Sequence, residues 1–93
     1  MLIEWDEDKR RRTLDERGLD FADAQLVFRG RHFTRNDDRR DYGEPRRITA
    51  GYLGDRFVVL VWTPRGEARR IISMRYGHES EEERWKAEVG RSG

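Results

Sequence analysis

The chain has 93 residues, 42% charged and 34% hydrophobic, with a formal net charge of +1 and no cysteine. That length allows one domain, residues 1–93, whose single modest core buries about 60–65% of the surface an unfolded chain exposes. The lack of cysteine excludes a disulfide framework and a thiolate metal site; no signal peptide or membrane-spanning apolar run is recognisable, so a cytoplasmic location is the expectation.

So charged a composition would suggest disorder if its apolar residues were scattered, but they fall in periodic runs that can pack. Ile3 and Trp5 alternate with polar neighbours in a short opening strand. Asp6 stands at an N-cap position for a helix running to Arg17, where Gly18 ends it. Within that helix Asp6, Glu7 and Asp8 each precede an arginine by four positions, a solvated scaffold of i,i+4 pairs. A second helix is expected from Asp20, with Phe21, Ala24, Val27 and Phe28 on one core-facing stripe. His32 and Phe33 fall in a short strand or loop, and residues 35–45 (RNDDRRDYGEP) read as an exposed connection.

The most informative stretch follows. Arg46 to Leu53 forms a strand with Ile48, Ala50 and Tyr52 on one side. The apolar run FVVLVW, Phe57 to Trp62, requires cover on both faces and so belongs in the middle of a sheet. After the turn TPRGE, the strand RRIISMR alternates: Arg70, Ile72 and Met74 are expected on one face, Arg69, Ile71, Ser73 and Arg75 on the other. Three consecutive hairpin-connected strands result. Ser80 with Glu83 reads as a capping box opening a last helix to about Val89, before Gly90. The expected class is α+β, an antiparallel sheet with two N-terminal helices and one C-terminal helix.

The small net charge hides an uneven distribution. Residues 29–75 hold 12 Arg against 6 Asp and Glu, so the middle segment is basic and the flanks acidic. Metal binding is not expected, because His32 and His78 are far apart and without Cys partners. The glycines form neither a GxxxxGK nor a GxGxxG pattern, so no nucleotide cofactor is indicated. What remains is an arginine constellation: Arg46 and Arg47 at the start of one strand, Arg65 on the turn after the central strand, and Arg70 and Arg75 on the last strand. Beyond them lie His78 and, one helical turn on, Glu82.

Metal-free RNA cleavage requires a deprotonated 2′-hydroxyl, stabilisation of the charge gathering on the phosphorane, and a proton for the departing 5′-oxygen. Guanidinium forks suit the second need. His78 and Glu82 are the candidates for proton transfer, histidine being the side-chain type that titrates near neutrality. Tyr76 is the candidate for base stacking, and Arg46 and Arg47 for holding the RNA backbone.

The segments IEWDEDK, GLDFADA, DYGEPR and VVLVWTPRGEARRIISMR resemble the BrnT family of type II toxins over essentially the whole chain. The resemblance implies a RelE-like fold and an RNA-cleaving toxin that stops translation. It further implies neutralisation by a BrnA antitoxin of ribbon-helix-helix type, with operator DNA bound only through that complex. Residues of this sequence that match the family pattern are Trp5, Asp6, Glu7, Lys9, Gly43, Glu44, Arg46, Thr63, Arg65, Arg70, Ile71, Ile72, Ser73 and Arg75. It departs at Thr13, where the family often has Asn, at Arg17, often His, and at Tyr76-Gly77, often Lys-Ala. The alternative expectation is a catalytically inactive module that binds antitoxin or nucleic acid.

Overall fold

The computed structural model describes residues 2–92. Its order is β1 (Leu2–Trp5), α1 (Glu7–Arg17), a 3-10 turn (Phe21–Asp23), α2 (Ala24–Arg29), β2 (His32–Asn36), β3 (Arg47–Leu53), β4 (Arg56–Arg65), β5 (Ala68–Tyr76) and α3 (Glu79–Ser92). The strands form one sheet in the order β1-β5-β4-β3-β2. β4 is therefore central, as its unbroken apolar run requires. β2 through β5 make an antiparallel meander. β1 joins the outer edge of β5 in parallel, pairing Leu2 with Ala68 and Trp5 with Ile71.

Both faces of the sheet are covered. On one side Leu19, Phe21, Ala24 and Val27 pack against Val58, Leu60, Trp62, Ile71 and Met74, closing the main core. On the other, Ile48, Phe57 and Val59 form a smaller cluster under Trp85 of α3. The ring of Trp85 stands edge-on to Tyr52 and Phe57, and its indole N–H donates to the Ala50 carbonyl at 2.9 Å.

α1 buries no residue, so polar contacts pin it instead. Arg10 donates to both oxygens of Asp20 at 2.7 and 3.0 Å, and Arg17 reaches the Met74 carbonyl at 2.9 Å. Gly18, at φ +68°, takes the left-handed conformation that returns its N–H to the Leu14 carbonyl and ends the helix. Asp20 starts the second helical stretch by accepting from the Ala22 N–H, although its first turn is 3-10.

Two expectations are corrected. The last helix opens at Glu79, with Ser80 inside its first turn. The capping contact belongs to Glu81, whose carboxylate accepts the His78 backbone N–H at 2.8 Å, and the helix continues through Gly90. The second correction concerns β5. Val61 pairs with Ser73 but Trp62 pairs with Ile71, so Ile72 is an extra residue, a β-bulge. Strict alternation puts Arg70 with Met74 on one face. The bulge instead sends Ile71 and Met74 together into the main core, and places Arg70, Ser73 and Arg75 together on the opposite face.

Candidate functional site

The arginine-bearing face is built by the bulge and by the loop between β2 and β3. Across the sheet, Glu4 on β1 pairs with Arg70 on β5, which pairs with Thr63 on β4. Thr63 is buried and donates its hydroxyl hydrogen to the Pro45 carbonyl at 2.6 Å, fixing the end of the loop that carries Arg46. Glu4 Oε1 is buried without a hydrogen bond, yet lies 3.6 Å from Arg70 Nη1 and 3.8 Å from Arg65 Nε. One carboxylate thus gathers two of the expected arginines.

Arg75 belongs to a second knot. Its two terminal nitrogens donate to the two oxygens of Glu81 at 2.9 and 2.8 Å, the bidentate geometry that guanidinium also offers to phosphate. Arg75 foremost, and then the His78 N–H, hold the Glu81 carboxyl well below the usual range, to about 2. Glu81 in turn raises the Arg75 pKa, while the positive charge of nearby Arg39 opposes it.

Arg39 comes from the connecting loop, which is less open than its polar composition suggests. Asp37 is buried there and accepts Arg39 Nε at 2.7 Å and Nη2 at 2.8 Å; that pairing lowers its pKa to about 2. The Asp37 N–H donates to the Arg46 carbonyl, closing the loop at its base. Arg46 lies 4.0 Å over the Tyr42 ring and 3.3 Å from Glu44. Arg40 also lies 5.1 Å over the same ring, so Tyr42 is an aromatic flanked by cations.

Of the other expected site residues, Arg47, Tyr76 and Glu82 are placed elsewhere and His78 stays close. Arg47 pairs with Trp62 and lies 5.4 Å over its ring, on the main-core face. Tyr76 follows Met74 onto that same side, 43% exposed, with Arg56 donating to its hydroxyl. His78 is exposed at the N-cap of α3, next to the Arg75–Glu81 pair. The Glu82 carboxylate is turned toward β3, where it accepts the Tyr52 hydroxyl and raises the Tyr52 pKa. Glu81, not Glu82, faces the arginine.

Glu81, Arg39 and Asp37 are the residues that sequence reasoning missed. For Glu81 a signal exists: it stands three positions after His78, the spacing of a capping box with His at the cap. For Asp37 none does, because a carboxylate between polar neighbours reads as solvated. Gly77, one of the departures noted above, has a steric cause, since a methyl group there would overlap the Phe57 ring.

Arginines on one face, held by carboxylates and bordered by an exposed histidine, can bind a phosphodiester and exchange protons with it. Among the described residues no group of three or more His, Asp or Glu is arranged to hold a metal ion, and no helix is long and apolar enough to cross a membrane. No curated protein matches the chain. The family model described as ribonuclease toxin, BrnT, of type II toxin-antitoxin system matches residues 5–81, and the chain belongs to that family.

Proposed function

From that membership we propose that the protein is a metal-independent endoribonuclease of the cytoplasm, stopping translation by cutting RNA and silenced by a BrnA-like ribbon-helix-helix antitoxin. In this reading operator DNA is met only through the antitoxin complex. The observation that carries it is the bulge at Ile72, which sets Arg70 and Arg75 on one face. Arg70 and Arg75 grip the scissile phosphate and neutralise the charge that grows on it, with Arg65 assisting at the Glu4 end. Arg46, Arg39 and Tyr42 hold the flanking nucleotide. In the RNA-free protein Glu4 and Glu81 neutralise these guanidiniums, and the phosphate displaces the carboxylates. His78, exposed beside Arg75, is the proton-transfer group; Glu82, engaged by Tyr52, is assigned a structural part.

The test is RNA incubated with purified protein in a chelator, comparing the natural chain with Arg70→Ala and Arg75→Ala. Cleavage leaving 2′,3′-cyclic phosphate ends is expected, reduced about 10²- to 10³-fold in either variant. An Arg75→Ala protein that cuts at the natural rate refutes the assignment. A second reading, an inactive binding module, is favoured by one observation: both arginines already have carboxylate partners. It predicts intact RNA with the natural chain, together with tight antitoxin binding.

A further inference from the structure

Arg69 differs from the arginines of the proposed RNA face. Arg39, Arg46, Arg65, Arg70 and Arg75 each lie within ion-pair distance of a carboxylate. Arg69 makes no such pair among the described residues. The bulge sends it to the main-core side, where its guanidinium carbon sits 3.9 Å over the Phe28 ring and 5.2 Å from that of Trp62. Its Nε is buried without a hydrogen-bond partner. Burial alone lowers its pKa, which reports a charge partly stripped of water and given no counter-ion. Two aromatic faces offset part of that cost. An unpaired, half-buried cation is otherwise a liability to the fold.

This guanidinium lines a cavity of about 280 Å³ with Ile3, Gln25, Phe28 and Arg29. Gln25 and Arg29 are four apart on α2, and between them Leu26 is 50% exposed. The surface thus offers two cations and an amide in a small cleft with apolar walls and an apolar rim. Such a site matches one carboxylate carried on an otherwise hydrophobic segment. An RNA backbone fits it poorly, since successive phosphates need a row of cations, and the row lies on the other face of the sheet.

We propose that Arg69, with Gln25 and Arg29, is the anchor on which the antitoxin docks an acidic side chain flanked by apolar residues. The proposal rests on the family's having an antitoxin and is independent of RNA cleavage. Docking supplies the counter-ion that Arg69 lacks, so the residue sacrifices stability in the free toxin and recovers it in the complex. The anchor also lies on the opposite side of the sheet from Arg70 and Arg75, so holding the toxin and covering its RNA face fall to different parts of the antitoxin.

The test is calorimetric titration of the purified chain with its purified cognate antitoxin, using Arg69→Met, Arg69→Lys and Arg29→Ala. Thermal melts and binding of a 2′-O-methylated RNA are measured on the same proteins. Arg69→Met removes the charge and the contact of the guanidinium with Phe28 while keeping a long unbranched apolar side chain. It is expected to weaken antitoxin binding roughly 10- to 100-fold while melting at the same or a higher temperature and binding RNA unchanged. Arg69→Lys, with charge but no fork, falls between, and Arg29→Ala weakens binding a few-fold. Unchanged antitoxin affinity in Arg69→Met overturns the proposal. So does a lowered melting temperature restored by Arg69→Lys, which makes the residue a structural cation, and so does loss of RNA binding with antitoxin affinity intact. Because no arm reads catalysis, an inert toxin leaves the test standing.

Discussion

Glu81 is both the partner of Arg75 and the cap of α3, and Glu81→Gln separates the two. The amide oxygen of Gln still accepts the His78 N–H, but the charge that holds Arg75 is gone. Taken at full value, lowering a carboxyl from its ordinary 4.5 to about 2 corresponds to about 3 kcal/mol at neutral pH. The Arg75 and Glu81 side chains are 40% and 26% exposed, and solvent screening brings this to about 1 kcal/mol. A depressed carboxylate pKa stabilises fully above the unfolded value and loses its effect as pH falls toward the folded one. At pH 7 the variant should therefore melt roughly 4–8 °C below the natural chain, and the gap should close between pH 4.5 and about 2. RNA affinity should move the other way. With Arg75 unneutralised, anisotropy titrations with 2′-O-methylated RNA should show tighter binding and a salt slope steeper by about one phosphate contact. A variant that melts as expected but binds RNA more weakly refutes the reasoning, because Glu81 would then be holding Arg75 in its binding pose rather than competing for it.

Gly77→Ala drives a methyl into Phe57, whose ring is confined by Tyr52 and Trp85. A loss of about 1–3 kcal/mol is expected in denaturant unfolding, partly restored by Phe57→Leu in the same chain; equal midpoints for Gly77→Ala and the natural chain count against it. Asp37→Asn frees Arg39 and loosens the β2–β3 loop. Because Arg39 is 64% exposed, the stability cost is about 1 kcal/mol, but trypsin should cut at Arg39 and Arg40 severalfold faster, and an unchanged digestion rate contradicts the anchoring assigned to Asp37.

The sheet's centre and its hairpins were legible because their signals are local: six apolar residues in β4, turn chemistry on either side, and a polar face on α1. What failed was strict alternation in β5. Ile71 and Met74 are three apart and both belong in the main core, a demand that period two meets only by adding a residue, here Ile72. That single insertion decides which arginines share a face, and no neighbouring residue advertises it. That Arg47 and Tyr76 lie across the sheet from Arg75 was not legible, because membership of a basic segment carries no information about sheet face. Likewise the burial of Asp37 depends on Arg39 folding back over it, a contact no composition rule detects. The parallel seating of β1 lay beyond reach for a different reason: its partner strand comes near the other end of the chain.

That seating has a consequence for synthesis. Leu2 is synthesised 66 positions before Ala68, the residue it pairs with, and Glu4 meets Arg70 only when β5 exists. A nascent chain shorter than this cannot assemble the row that orients Arg65 and Arg70, however well its earlier helices form. The row of Glu4, Arg65 and Arg70 is thus completed only once β5 has been made, so the earliest strand waits on one of the latest for its place in the sheet.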